Sequence, residues 1–336
     1  ISNIHRMGKT EEPELIEISN LSYAYKGCPV LDRVSFKVNN GRRYGIYGGS
    51  GSGKSTLLAL ISGGLPPQSG SIRINGFDMR QEPVSARRCI GYLPQAIGFY
   101  KAMTPYELLD FIASARGVQD SRRFLHVHET LEFTGMNELR NRPISRLSNA
   151  ERRRLGVAQA LIGNPEILLL DSPTEGLSTT EARELRGLIR EIAGSGKTVF
   201  LASSVPSEIL ELCEDIFLLE DGRLSAPTPA AELLQGVNLL LRVQGDRTGV
   251  QQALAATGDI LSCRPVAENQ DELVFRLRAG HTGLCDAIAQ ALREAGFAVS
   301  EISEEEPGEA ERALRRSAAG MARSAFPACN RKEDTE

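Results

Sequence analysis

Several absences narrow the chain before any motif is read. No Cys-x-x-Cys pair occurs among the six cysteines (Cys28, Cys89, Cys213, Cys263, Cys285 and Cys329), so neither a zinc site nor a disulfide framework is indicated. They read as the reduced thiols of a cytosolic protein. No apolar stretch approaches the roughly 20 residues that span a bilayer. No secretory leader pattern is visible either, so a membrane role is expected to come through a partner. A basic excess is also lacking: 39 Lys and Arg stand against 43 Asp and Glu, a net charge of -4. That balance offers no electrostatic footprint for nucleic acid. What remains is 336 residues, 41% hydrophobic and 24% charged, enough for one large α/β domain and a smaller one.

What the chain does have is a glycine-rich run in a telling setting. Gly48-Gly49-Ser50-Gly51-Ser52-Gly53-Lys54-Ser55-Thr56 follows the strand-like Arg43–Tyr47 and precedes the apolar helical pattern Leu57–Ile61. Strand, glycine-rich loop and helix in that order make a phosphate-binding P-loop, whereas the plainer alternative is a bare turn opening a helix. Glycines let the backbone curl so that successive N–H groups face phosphate oxygens. The helix N-terminus adds positive dipole charge at the same spot. Lys54 is expected to reach the β- and γ-phosphates, and the Ser55 hydroxyl to sit on Mg²⁺.

Around that loop, β-type runs alternate with helical patterns from Leu15 to about Leu224. Ile16–Ile18, Val34–Val38 and Ile72–Ile74 suggest a partly antiparallel layer, while Ile167–Leu170 and Val199–Ala202 read as buried parallel strands. Between them, residues 98–165 form a helical insertion. One of its helices opens at Thr104-Pro105-Tyr106-Glu107, a capping box with proline at the first helical position. Glu220-Asp221-Gly222 supplies a turn for the last strand pair, and Pro227 and Pro229 mark a hinge. The first domain is expected over residues 15–236, after an N-terminal extension (1–14) in which Met7 is a candidate start. Residues 237–303 then read β-α-β-β-α-β, a small ferredoxin-like α+β domain, and 304–336 as a charged, solvated tail.

Further segments fall in a recognisable order. Tyr25 lies upstream of the P-loop strand; Ile90-Gly91-Tyr92-Leu93-Pro94-Gln95 follows the loop; Leu147-Ser148 leads into Arg152–Leu161; Ile167-Leu168-Leu169-Leu170-Asp171 comes next. Together with the P-loop, this set resembles the nucleotide-binding subunits of ABC transporters over Leu15 to Leu224. The resemblance implies an α/β fold, a P-loop NTPase of the ABC ATPase type with a helical insertion. It implies ATP and Mg²⁺ as cofactors, held by Gly48 to Thr56. Tyr25 would stack on adenine, where a flat π-surface gives affinity, although a half-buried strand tyrosine is the plainer reading. Gln95 would touch Mg²⁺ and the attacking water, and Asp171 would support the Mg²⁺ shell. Ser148 would meet the γ-phosphate of ATP held by a second nucleotide-binding subunit, the same chain or a different one. A separate multi-span membrane permease is the other implied partner, which sets the chain at the cytoplasmic face of the membrane. The wording around Arg152–Gly163 and the appended domain are most similar to drug, antibiotic or gliding-motility export systems.

Four motifs depart from that pattern. The glutamate expected after Asp171 is Ser172, a poor base at neutral pH, and losing a positioned base costs typically ~10²–10⁴-fold in rate. Glu175 is the nearest carboxylate in sequence, but proton transfer requires hydrogen-bond reach. The switch histidine expected after Val199–Ala202 is Ser204 or Val205, and neither His128 nor His281 fits the motif. Ser178 stands where an aspartate would close the dimer contact. The signature reads Leu147-Ser148-Asn149-Ala150-Glu151, with side chains in place of two glycines. A charge at Glu151 about 6 Å from a phosphate would be repelled by about 3 kcal/mol at an effective dielectric of about 20. Ser148-x-x-Glu151 is equally a capping box.

These departures fall on hydrolysis and dimer contact, whereas the binding motifs are whole. The leading expectation is therefore an export-type ABC subunit that binds MgATP and hydrolyses it weakly or only with a competent partner. The alternative is a non-hydrolysing ATP-sensing regulatory protein. A translation-type ABC protein fits poorly, because one P-loop is present and the charge is acidic.

Overall fold

The computed structural model describes residues 14–234, 237–255, 260–268, 273–279, 284–305 and 311–316. The expected extension (but for Glu14), the boundary at 236, His281 and most of the expected tail lie outside the described residues. Two compact units are present, 1–227 and 228–336.

The first unit begins with antiparallel strands β1 (Ile16–Tyr25) and β2 (Cys28–Val38), then β3 (Arg43–Tyr47) and helix α1 (Lys54–Ile61). Strands β4 (Ser69–Ile74) and β5 (Phe77–Asp78), helix α2 (Pro83–Arg88) and β6 (Ile90–Leu93) follow. The helical insertion comprises α3 (Pro105–Ala115), α4 (Asp120–Phe133), two short 3-10 turns and α5 (Asn149–Leu161). The chain then returns through β7 (Ile167–Asp171), α6 (Thr179–Gly194), β8 (Thr198–Ser203), α7 (Pro206–Leu212), β9 (Asp215–Glu220) and β10 (Arg223–Leu224). Two sheets result. The antiparallel one has the order β2-β1-β4-β5, and the other runs β10-β9-β3-β8-β7-β6. Within the second sheet β9, β3, β8, β7 and β6 are mutually parallel neighbours, and β10 is antiparallel.

Composition explains these placements. All of β7 and β8 is buried, which is why both are continuous apolar runs rather than alternating ones. The two sheets are joined by an aromatic cluster: Phe36 lies 4.9 Å from Phe217, and Tyr44 stacks on Phe200 at 5.0 Å. Helix α1 drives Leu57, Leu58, Leu60 and Ile61 into this core, at about 1.5–3 kcal/mol per buried side chain. A second core in the insertion gathers Leu109, Ala113, Val127, Leu131 and Leu155. The box predicted at Thr104 is formed at α3, with Pro105 at the first helical turn.

Helix α5 is seated tightly on β6. Gly91 packs so closely beneath α5 that a methyl group there would sit 2.0 Å from the Ala160 carbonyl oxygen. This seat fixes the C-terminal end of α5 against the strand that leads to Gln95.

The second unit opens with β11 (Thr228–Pro229) and α8 (Ala230–Leu234). It continues with β12 (Val237–Gln244), α9 (Arg247–Ala255), β13 (Ile260–Glu268), β14 (Leu273–Ala279), α10 (Leu284–Glu294) and β15 (Ala298–Glu305). Its sheet has the order β13-β14-β12-β15 with every neighbouring pair antiparallel. Leu241, Val250, Phe275, Ile288 and Leu292 fill the space between this sheet and its helices. One expectation is corrected here. Residues 311–316 of the stretch read as solvated are helical, because Leu314 is fully buried and Arg315 donates to the Leu233 carbonyl at 3.2 Å.

Gly91→Ala is expected to destabilise the protein by about 1–3 kcal/mol, as overpacking does, lowering the urea midpoint without changing the slope. An unchanged midpoint would contradict the close seat of α5 on β6.

Candidate nucleotide site

The glycine-rich loop links β3 to α1, so the end of a buried strand fixes one side and a buried helix the other. Gly53, the residue before α1, has φ +105°, a left-handed conformation that glycine adopts without a side-chain penalty. The Lys54 ammonium is folded onto the loop, donating to the Gly48 carbonyl at 2.9 Å and the Gly49 carbonyl at 2.6 Å, with Ser52 Oγ at 3.5 Å. Burial pulls the Lys54 pKa below its ordinary value, and the Asp171 charge opposes that shift. A cleft of about 360 Å³ opens beside it, lined by Tyr25, Val30, Ser50, Gly51, Gly53, Lys54, Ser55, Thr56, Gln95, Ser172 and Ser204. Gly48, Gly49 and Ser52 do not line the cleft; they hold the lysine. Tyr25 is about half exposed at 47% and meets Tyr23 edge-on, leaving its ring at the cleft wall.

Asp171 ends β7 and is 1% exposed. Its Oδ1 has no hydrogen-bond partner among the described residues. Burial raises its pKa, while the Ser55 hydroxyl, the Lys54 ammonium and the Gln95 backbone N–H each favour the charged form. A buried carboxylate with an unsatisfied oxygen, bonded to the Ser55 hydroxyl behind a cleft that Ser55 and Gln95 line, offers oxygen donors that suit a hard cation such as Mg²⁺. The residues present therefore fit that ion.

The altered positions are accounted for by local geometry. Ser172 sits at φ +47°, a left-handed conformation uncommon for a non-glycine residue, and its N–H donates to the Ala202 carbonyl at 2.8 Å. Its place is the cleft wall, as is that of Ser204, whereas Val205 is the N-cap of α7 and does not line the cleft. Of the two candidates after β8, Ser204 is thus the one on the cleft wall. Ser178 caps α6 in a full capping box with Glu181, a task an aspartate also performs. Ser148 caps α5 in the same way: Glu151 accepts from the Ser148 N–H at 2.6 Å and donates its own N–H to Ser148 Oγ at 3.2 Å. The Glu151 carboxylate is also 3.7 Å from Arg142, so its charge is engaged within the chain. Ser148 is exposed and lies outside the cleft.

Sequence reasoning missed the bracing of the turn 172–178. Gln95 Nε2 donates to Glu175 at 2.7 Å, and Asn149 Nδ2 donates to the Gly176 carbonyl at 2.9 Å. Beneath them the buried Glu208 accepts from Thr174 Oγ1 at 2.9 Å and Ser203 Oγ at 2.6 Å. These partners are 80, 27, 34 and 5 residues apart. Only the last was within reach of local pattern reading.

Sheet order, phosphate loop and the buried aspartate beside Ser55 define a P-loop nucleoside-triphosphate-binding protein with a helical insertion. The family described as ABC transporter matches residues 31–175. The lipopolysaccharide export system ATP-binding protein LptB of Escherichia coli (strain K12) is 33% identical over 64% of this chain and 91% of that protein. The linearmycin resistance ATP-binding protein LnrL of Bacillus subtilis (strain 168) is 27% identical over 80% of this chain and 86% of that protein. Among solved structures, cbiO1 from Clostridium perfringens, part of the ABC transporter complex cbiONQ, superposes with a TM-score of 0.57. It is 26% identical and covers 65% of this chain and 89% of its own. The chain belongs to the family of ABC transporter ATP-binding subunits.

Because Asp171 carries a raised pKa, its ionised form is penalised in the folded protein. That contribution is most favourable below the unfolded value of 3.8 and is lost as pH rises through the higher native value. Asp171→Asn should therefore raise Tm of the nucleotide-free protein at pH 7.5, with the gain shrinking toward pH 4, while weakening Mg²⁺-dependent ATP binding. A lower Tm at pH 7.5 would contradict this assignment of the charge.

Proposed function

We propose that this chain is the ATP-binding subunit of an export-type ABC transporter that binds MgATP and hydrolyses it slowly by itself. The observation that carries the reading is the composition of the cleft wall. Lys54, Ser55 and Gln95 face it, with Asp171 behind, while the two positions expected to handle the attacking water hold the hydroxyls of Ser172 and Ser204. Tyr25 supplies a ring for adenine, the loop amides and Lys54 bind the phosphates, and Ser55, Gln95 and Asp171 hold Mg²⁺. When bound, Mg²⁺ neutralises phosphate charge. Neither serine is a base at pH 7, so the chain orients the water without taking its proton.

Ser148, at the tip of α5, meets ATP on a second nucleotide-binding subunit. A partner with its own base would cycle normally at its own phosphate loop while using this serine. Among the described residues no helix is long and apolar enough to cross a membrane, so a separate permease would carry the transport path and place this chain at the cytoplasmic face. Drug or antibiotic export is favoured by the linearmycin-resistance relative. The same two serines equally suit an ATP-sensing regulatory protein, which would co-purify without a multi-span partner.

Turnover of the purified chain should be low, and Ser172→Glu should raise it by part of the about 10²–10⁴-fold that a positioned base contributes. Ser172→Glu with Ser204→His should raise it further. Ordinary family turnover in the unmodified chain would refute the reading.

A further inference from the structure

Glu175 has no part in the binding scheme above, yet it makes a short side-chain hydrogen bond to one of that scheme's members. We propose that Glu175 is a positioning residue for Mg²⁺ binding, one that fixes which end of the Gln95 amide faces the metal; this rests on the MgATP reading just given.

The argument is one of donor and acceptor identity. A side-chain amide has one end that donates and one that accepts, and only the oxygen can ligate a hard cation. An ionised carboxylate accepts hydrogen bonds and offers none. The 2.7 Å contact between Gln95 Nε2 and Glu175 therefore commits the nitrogen to Glu175 and leaves Oε1 as the free end. Gln95 lines the cleft and Glu175 does not, so the nitrogen is the end tied to a residue outside the cleft wall. The backbone of the same glutamine is turned to Asp171 through its N–H. Both ends of Gln95 are thus held, and the amide oxygen is the donor atom that remains.

The anchor is itself held in place. Glu175 N–H donates to the Ser172 carbonyl at 3.2 Å, Thr174 is tied to the buried Glu208, and Asn149 grips the next residue, Gly176. The turn that carries Glu175 is therefore braced on three sides. Glu175 is no substitute for the missing base: it is exposed, off the cleft wall, and already bonded to Gln95. Because the pair is exposed, solvent competes for it and its effect should be modest, on the order of the net worth of one ordinary hydrogen bond rather than a buried charged one.

The test is the ratio of ATP affinity with Mg²⁺ to ATP affinity in EDTA, measured by calorimetric titration of ATP. Glu175→Ala should reduce that ratio about 3- to 5-fold, with affinity in EDTA moving less than about 2-fold. Glu175→Asp keeps the charge but withdraws it by one methylene from the 2.7 Å contact, and should reduce the ratio as much. Either variant serves if the other fails to fold. Glu175→Ala combined with Gln95→Ala should be no weaker than Gln95→Ala alone, since the glutamate acts only through the glutamine. A wild-type ratio in Glu175→Ala or Glu175→Asp, or a double variant that loses the product of both effects, would overturn the proposal. Wild-type protein that binds no ATP in either buffer would instead defeat the nucleotide reading itself.

Discussion

Asp171 closes a strand whose other residues are one isoleucine and three leucines, and it brings a carboxylate to the inner edge of the parallel sheet. An ionised group so placed is costly unless something positive stands beside it. The fold supplies partial answers: the Ser55 hydroxyl, the Lys54 ammonium and the Gln95 amide. One oxygen nonetheless stays unpaired. The geometry of the phosphate loop, the seat of α1 and the path of the chain from β6 to Gln95 can all be understood as fixing groups around this one charge. A sheet of parallel strands makes this possible, since β3, β7 and β8 all end on the same side and deliver the loop, Asp171 and Ser204 to one edge.

Against that background, the serines at 172 and 204 have a chemical meaning beyond their departure from a motif. They keep the cleft wall polar, and in the proposed reading they stand where a base and a histidine would handle the attacking water. Ser178 and Ser148 are different in kind. Each is an N-cap with both bonds of its box formed, so their identities follow from helix geometry as much as from any contact with a partner. Glu151, which looked repulsive toward phosphate, is occupied by the Ser148 backbone and Arg142.

Much of this was legible in the residues because the signals are local or periodic. The strand–loop–helix order around Gly48 to Thr56 is contiguous, the buried strands β7 and β8 are unbroken apolar runs, and the Thr104 box spans four residues. From β12 to β15 the element order β-α-β-β-α-β is likewise the one that periodicity suggests. What escaped was the long-range polar bracing. Nothing in the spacing of Gln95 and Glu175 announces a hydrogen bond across 80 residues, because it depends on how the turn after β7 faces the segment after β6. Spacing after β8 does not say which of Ser204 and Val205 reaches the cleft wall; that depends on Pro206 opening α7 with Val205 as its N-cap. Leu314 was lost within a charged stretch, since a single apolar residue leaves no period.

The central proposal is that the chain cradles ATP while lacking the positioned base that makes its hydrolysis fast. The most direct measurement loads the purified protein with one equivalent of ATP and Mg²⁺, removes free nucleotide, and follows the chemical identity of what stays bound over several hours. Intact triphosphate retained on the protein is the predicted outcome. Conversion of the bound nucleotide to ADP and phosphate within a few minutes would contradict the account.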